Sequence, residues 1–528
     1  MTKISKKIFN FLALKRCLIL ITYWSLFIGD SALILAADQQ KVDQLLATKE
    51  CAQCNLQDAR LGGANLRGAN LREANLVFAD LKGASLDGAN LFKALLGRVQ
   101  AQEASLFRAN LEYAYLREAN FSDANLSQAN LKLTNLLQGI LINTDLEEAD
   151  LSFSSLILVN FTNANLKNAN LFKADLKEAI LTGASLENAD LRATKLEKTD
   201  LTFVDFRGTK IDEDTLIDQR WLTVWEVVNQ PEKMDWTGVN LSQSYLHRLD
   251  FRNKIFTNAN LEKAFLFMMD LRGANLTNAN LAQTKFQYTD LRGANLSGVN
   301  FSETDLRDTN LADTNLTFVN FRGVLINEGT IIDDQWRLVW ELINQGGKER
   351  DLTAVNLENS DLQGADLSQS ILIQANLSGA NLKEVNLTQA NLQDAILNST
   401  DLREADLTLA NFFRAQLTGV NLENALIHQT TFRNADLSNA ILTGATLTRA
   451  NLRGANLSNA NLENANLENA YLNGANFTNA NLKGTNLNKA DFTNTNLTNA
   501  LLDNDSLSLL ENFCGVTKPD GQKTNECE

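Results

Sequence analysis

Leucine, isoleucine or phenylalanine returns at every fifth position along most of this chain, and alanine commonly stands two places before it. From Leu56 to Ile211 the register breaks only at Ala101; it resumes at Trp236 and runs to Ile326, then continues from Leu352 to Leu507. These are arrays of 32, 19 and 32 pentads. On an α-helix five residues advance about 500°, so successive leucines would smear around the cylinder instead of forming a stripe. On a plain strand an odd period would throw neighbours such as Leu457 and Leu462 to opposite faces. Alanine and leucine two apart, as in Ala460 and Leu462, do share one face of a short extended segment, with Asn461 between them pointing the other way. Each pentad therefore reads as a short strand plus a turn that brings the next leucine back inside. One coil cannot bury its own leucines. Stacked coils can, because they pair at roughly 4.8 Å spacing and enclose a continuous apolar interior.

The residues that interrupt or avoid this pattern support it. Both prolines, Pro231 and Pro519, lie outside the arrays, as a ladder that uses every backbone N–H requires. Glycines such as Gly63, Gly68, Gly273 and Gly454 gather two places after the leucine, where the chain must turn. Two breaks resemble each other, "IDEDTLIDQRWLTVWEVVNQ" (211–230) and "INEGTIIDDQWRLVWELINQ" (326–345), 115 residues apart, so a whole module is duplicated. Ile217, Trp221, Val224, Trp225 and Val228, and then Ile332, Trp336, Val339, Trp340 and Ile343, follow the spacing of an amphipathic helix. We expect Trp221, Trp225, Trp336 and Trp340 to pack these helices on a coil stack, covering leucines and a ladder edge; partner binding by the helices is the alternative. A shorter amphipathic piece, Val42, Leu45 and Leu46, stands where it would cap the first array.

Runs such as "GANLRGANLREANL" (63–76) resemble the pentapeptide-repeat family over about four fifths of the chain. The resemblance implies an all-β solenoid, a right-handed quadrilateral β-helix with four pentads per coil, here in three arrays with two short amphipathic helical insertions. At the strand spacing that is about 21 coils, or roughly 100 Å. The expected segments are 1–37 signal peptide, 38–55 N-terminal cap, 56–211 first array, 212–235 first insertion, 236–326 second array, 327–351 second insertion, 352–507 third array and 508–528 C-terminal tail.

The first residues differ in kind. Lys3, Lys6, Lys7, Lys15 and Arg16 precede an apolar run from Cys17 to Ile28, and small residues follow at Ala36 and Ala37, the order of a secretory signal peptide. An uncleaved membrane anchor is the alternative and would be the chain's one membrane contact. Cys17 does not read as a lipoprotein cysteine, since Lys15 and Arg16 precede it and the apolar run follows it. Export permits disulfides among the four remaining cysteines. Cys514 and Cys527 bracket "GVTKPDGQKTNE", whose Pro-Asp-Gly signals a turn, and a bridge between them is expected. Cys51 and Cys54 fall on the leucine and alanine registers and read as small inward-facing residues. A redox-active CxxC centre is the competing reading, but it wants a helix start and a thioredoxin-like context.

Candidate chemistry is sparse. His247 and His428 each follow a core residue, which points them outward, and carboxylates such as Asp145, Glu147 and Glu148 recur without a pair set apart by burial. No phosphate loop, metal cluster or nucleophile motif is present, so no catalytic, cofactor-binding or metal-binding residue is assigned and no enzyme activity is expected. The formal net charge of −15 becomes −19 without residues 1–37, which disfavours binding to nucleic-acid phosphates. It agrees with family relatives that resemble DNA in shape and charge and bind type II topoisomerases. Against that function, export would separate the chain from gyrase, and Arg67, Arg72, Lys82, Asp87, Glu112 and Arg117 mix signs along the surface. "CAQCNLQDARLGGANL" and "FCGVTKPDGQKTNEC" are similar to the borders of secreted cyanobacterial pentapeptide-repeat proteins, which implies periplasm or thylakoid lumen. With the twenty-residue coil that the family supplies, Tyr113, Leu133 and Phe153 stack, as do Leu137 and Ile157, with Ile140 and Ile142 nearby. This apolar patch is the candidate interface for self-association or for a protein partner of unknown identity. The expected function is an exported, non-catalytic structural and protein-interaction scaffold.

Overall fold

The computed structural model describes residues 38–503 and 513–524. The expected signal peptide, Leu507 and Cys527 lie outside the described residues. The chain divides into two compact units: one runs to Asp200 and takes up Lys210–Leu216, while the other comprises Leu201–Thr209 and the chain from Ile217 onward.

Within both units, parallel bridges join most pentads to the one twenty residues later, from Glu50↔Asn70 to Asp190↔Lys210 in the first and from Asp235↔Ile255 to Asn481↔Leu501 in the second. A coil is therefore four pentads. The pentad from Asn110 to Ala114 shows how its donors are satisfied. The Asn110 N–H donates to Ala89 C=O of the preceding coil at 2.9 Å, and Leu111 and Tyr113 donate to Asn130 and Lys132 of the next at 2.7 and 3.1 Å. Ala114 N–H closes the turn onto Leu111 C=O at 2.8 Å. That leaves the Glu112 N–H, which has no backbone acceptor and donates instead to Asn110 Oδ1 at 3.2 Å. Complete pairing of this kind is what buried or half-buried backbone demands. Most pentads contribute a single bridging residue instead of a strand, because two of their five positions belong to the turn.

The leucine register and the alanine two places earlier are inside. Leu111, Leu131, Leu151 and Leu171 are fully buried in one column, with Ala109, Ala129 and Ala149 beside them. The second residue after the core leucine lies in the left-handed region, at φ 68° for Gly63 but also at 56° for Leu133. Only glycine occupies that region without a steric cost.

Helix α1 (Gln39–Thr48) starts at Asp38, whose carboxylate accepts the Gln40 N–H at 3.0 Å, and it buries Val42 and Leu45. Leu46, grouped with them by its spacing, is 43% exposed. Helices α2 (Gln219–Asn229) and α3 (Asp334–Asn344) fall where the amphipathic spacing put them. Trp221, Val224 and Val228 are buried in α2, and Trp336 and Val339 in α3, as the spacing implied. Val227 and Leu342, which it left out, are buried too, while Ile343 is only half-buried.

The second insertion does not end its stack. Phe318 N–H donates to Asn359 C=O at 2.8 Å, so one side of the ladder passes directly from the second array to the third while α3 lies across the remainder of the break.

Candidate functional site

The expected patch residues divide between two places on the coil: Tyr113, Leu133 and Phe153 share one turn column, while Ile140 and Ile142 lie on a following side. Tyr113, Leu133 and Phe153 each stand two residues after a core leucine, at φ 59°, 56° and 59°, one coil apart. Tyr113 and Phe153 are 48% and 44% exposed and Ile140 is 37% exposed, whereas Leu133, Leu137, Ile142 and Ile157 are half-buried. Leu158, at the next corner, and Ile180, two coils on from Ile140 along the same bridge column, add exposed apolar surface that the spacing does not single out. Tyr113 meets Phe92 edge-on at 5.8 Å and Phe153 meets Phe172 at 5.6 Å. Lysines border the rings: Lys93 stands over Phe92, and Lys132 and Lys173 stand 5.8 and 5.9 Å from the Phe153 centroid. Exposed apolar side chains are not confined to this region, since Leu409, Leu426 and Tyr471 lie exposed in the third array.

The two helices are anchored in the same way. Trp225 Nε1–H donates to Thr209 C=O and Trp340 Nε1–H to Val324 C=O, both at 2.8 Å. Asn229 Nδ2 donates to Phe206 C=O while its Oδ1 accepts the Gly208 N–H, at 3.0 and 2.8 Å; Asn344 does the same for Phe321 and Gly323 at 2.9 and 2.7 Å. Thus each helix supplies side-chain partners to the pentad it covers. These asparagines were not singled out from the sequence, although their recurrence in "VVNQ" and "LINQ" is the visible signal.

Cys51 and Cys54 point inward and are bonded to each other, with Cα atoms 5.3 Å apart, so the first coil holds a buried disulfide. Cys514 is also disulfide-bonded. Its expected partner, Cys527, is beyond the described residues.

Charged groups are committed to the turns. Asp145 Oδ1 accepts the Glu147 N–H and the Asn165 amide, and Glu148 accepts from Gln128. Where an arginine stands two places after an aspartate it can fork back onto the carboxylate: Arg252 Nε and Nη2 donate to Asp250 Oδ1 and Oδ2 at 2.9 and 2.6 Å. The Arg252 guanidinium holds the Asp250 carboxyl well below its usual range, to about 2. The same fork joins Arg272 to Asp270 and Arg292 to Asp290 on successive coils, making a stripe of alternating sign. Asp361 differs, because burial pushes its carboxyl upward. His247, expected to point outward, is half-buried between the Tyr245 and Phe267 rings at 5.7 and 5.1 Å, while His428 Nδ1 lies 2.7 Å from the Thr448 hydroxyl. Among the described residues no group of three or more His, Cys, Asp or Glu could hold a metal ion, and no helix is long and apolar enough to cross a membrane.

The family model described as pentapeptide repeats matches residues 54–91, 102–136, 140–177, 169–208, 237–267, 269–302, 289–327, 351–389, 386–424, 431–469 and 460–499. Its largest gap and its gap between 327 and 351 contain α2 and α3 respectively. No individually curated protein matches the chain. Among solved structures, HetL, a pentapeptide repeat protein involved in heterocyst differentiation regulation in the cyanobacterium Nostoc sp. strain PCC 7120, is 27% identical, over 56% of this chain and 95% of its own, with a TM-score of 0.18. AT2G44920, from the Arabidopsis thaliana thylakoid lumen, is 27% identical over 34% of this chain and 86% of its own, with a TM-score of 0.11. QnrB1, a plasmid-mediated fluoroquinolone resistance protein, is 18% identical over 51% and 94%, with a TM-score of 0.17. With the family model covering well over half of its length and the pentad ladder running through the same residues, the chain belongs to the pentapeptide-repeat family.

Proposed function

We propose that this protein is an exported, non-catalytic scaffold whose coil corners dock other proteins, built on the right-handed quadrilateral β-helix of its family. The carrying observation is the exposed apolar side chains of Tyr113, Phe153 and Leu158 at turn positions where this chain elsewhere often places Asn, Glu or Lys, with Ile140 exposed on a following side. Clustered apolar surface of this kind commonly marks an interface. Its lysine border fits a partner with an apolar centre and an acidic rim. Export is supported by the basic, apolar and small-residue order of residues 1–37 and by the Cys51–Cys54 disulfide, which persists in an oxidising compartment. A DNA-mimic role is disfavoured by the Asp-Arg forks, since they neutralise carboxylates that would have to stand in for phosphates.

The test is crosslinking and affinity capture from the exported fraction of the host, with wild type beside Leu137→Glu combined with Ile157→Glu. Both side chains lie off the leucine columns, so the double variant should keep its circular dichroism spectrum and lose the captured partner or a second copy. Capture equal to wild type by a folded double variant would remove the patch as the interface.

A further inference from the structure

Two successive coils of the second unit carry outward rings on the parallel strands β1 (Tyr245–His247) and β2 (Phe265–Phe267), and on the next coil Tyr288 follows strand β3 (Lys285–Gln287). Tyr245 stacks on Phe265 at 5.4 Å, and Phe267 meets Tyr288 edge-on at 5.8 Å. Tyr288 ends the strip at 64% exposure, the highest of any large apolar or aromatic side chain among the described residues.

Beside that ring lies a cleft of about 240 Å³ lined by Gln287, Tyr288, Asp305, Arg307, Asp308 and Asn327. Two local features shape it. Arg307 forks onto Asp305, its Nε and Nη2 donating at 2.8 and 2.6 Å. The chain leaving the second array carries one residue beyond the pentad register, so Asn310 bridges to Ile331 instead of pairing at the twenty-residue spacing. The added length lets Asn327 accept the Asp308 N–H at 3.1 Å and return its amide to Asp308 Oδ1 at 3.0 Å. Gly329 passes so near that a Cβ there would collide with Asp308 Oδ1. The walls are therefore held by the protein's own hydrogen bonds.

We propose that this cleft binds one ring of a neutral oligosaccharide, with the sugar's C–H face against Tyr288 and its hydroxyls on the surrounding carboxylate, guanidinium and amide groups. A hydroxyl both donates and accepts, so it suits a wall that mixes acceptor-only Asp308, donor-only Arg307 and the amides of Gln287 and Asn327. The aromatic ring supplies the apolar platform that a compact cation would leave unused. An anionic ligand would meet two carboxylates against one guanidinium already engaged by Asp305. The volume suits a single ring, since it is below the few hundred cubic ångströms typical of drug-sized pockets. From Tyr288 the strip continues to Phe267 and Phe265, giving further sugar units apolar surface to follow.

The test is calorimetric titration of the full chain with glucose and N-acetylglucosamine oligomers, and separately with calcium chloride. At least one oligomer is expected to saturate a single site. Tyr288→Ala should weaken it about tenfold, while Tyr288→Phe, which keeps the platform, should stay within about threefold of wild type. Asp308→Ala should weaken it independently of the ring. Circular dichroism distinguishes loss of binding from loss of fold. No saturable binding by any oligomer, unchanged binding in folded Tyr288→Ala, or tight binding of calcium alone would overturn the proposal.

Discussion

An asparagine before a core leucine can perform two tasks, of which an aspartate can do only the accepting one, and both are visible at Asn130. Its Oδ1 accepts the Lys132 N–H at 3.2 Å, the donor that the ladder leaves over, and its Nδ2 donates to Asn110 Oδ1 on the preceding coil at 3.1 Å. Asn130→Ala should cost about 1–3 kcal/mol by leaving half-buried groups unpaired. Hydrogen exchange at Lys132 reads the loss directly, and unchanged protection there would contradict it. The aspartates of the forks add a pH dependence. Asp250, depressed to about 2, contributes stability that is full above the ordinary carboxylate range and is lost as pH falls from that range through about 2. Asp361 has the opposite sign: burial raises its carboxyl, so its contribution declines as pH rises from the ordinary value through the raised one. Carbon-detected NMR titration of the two carboxyls should find them displaced in opposite directions; a shared ordinary midpoint would contradict both assignments.

Helices α2 and α3 replace ladder partners at the breaks between arrays. Their amphipathic spacing was legible, because tryptophan and valine at helical intervals cannot be confused with the five-residue register. Their docking was not, because it depends on which carbonyls the break leaves without a coil above them. Asn344→Ala should sharply increase exchange of the Gly323 N–H, whose acceptor is Asn344 Oδ1, and lower stability by about 1–3 kcal/mol. Trp340→Ala should cost more, about 3–5 kcal/mol, since packing and the bond to Val324 C=O are lost together. Thermal melts of the two variants, compared with Asn229→Ala in the first insertion, would show whether the duplicated anchors are equivalent.

At the scale of the whole chain, stability in each unit comes from contacts between neighbouring coils, so a defect acts locally before it propagates. Leu131→Ala, in the middle of a fully buried column, should cost about 2–5 kcal/mol and release exchange first in the coils on either side. The ends are guarded differently. Intact mass and peptide mapping of the exported protein should find an amino terminus near Asp38, a bridge between Cys51 and Cys54, and a bridge from Cys514 to Cys527. Recovery of Met1 on a membrane-bound product, or free thiol at Cys514, would contradict the exported form.

The five-residue register by itself determined that the chain coils, which side chains are inside and where the arrays break, because no helix or flat strand buries every fifth residue. It also placed Tyr113, Leu133 and Phe153 in one stack once the coil length was taken from the family resemblance, and the bridges from each pentad to the one twenty residues on carry that stack. Tertiary structure alone decided what each outward position does. Asn130 turned along the ladder to Asn110, His247 met the Phe267 ring, and Asp305 closed on Arg307, because the partner in each case stands on another coil or across a turn that the five-residue register alone does not bring together. The cleft beside Tyr288 exists for the same reason: a single extra residue after Leu325 matters only when the coil beneath it is already fixed.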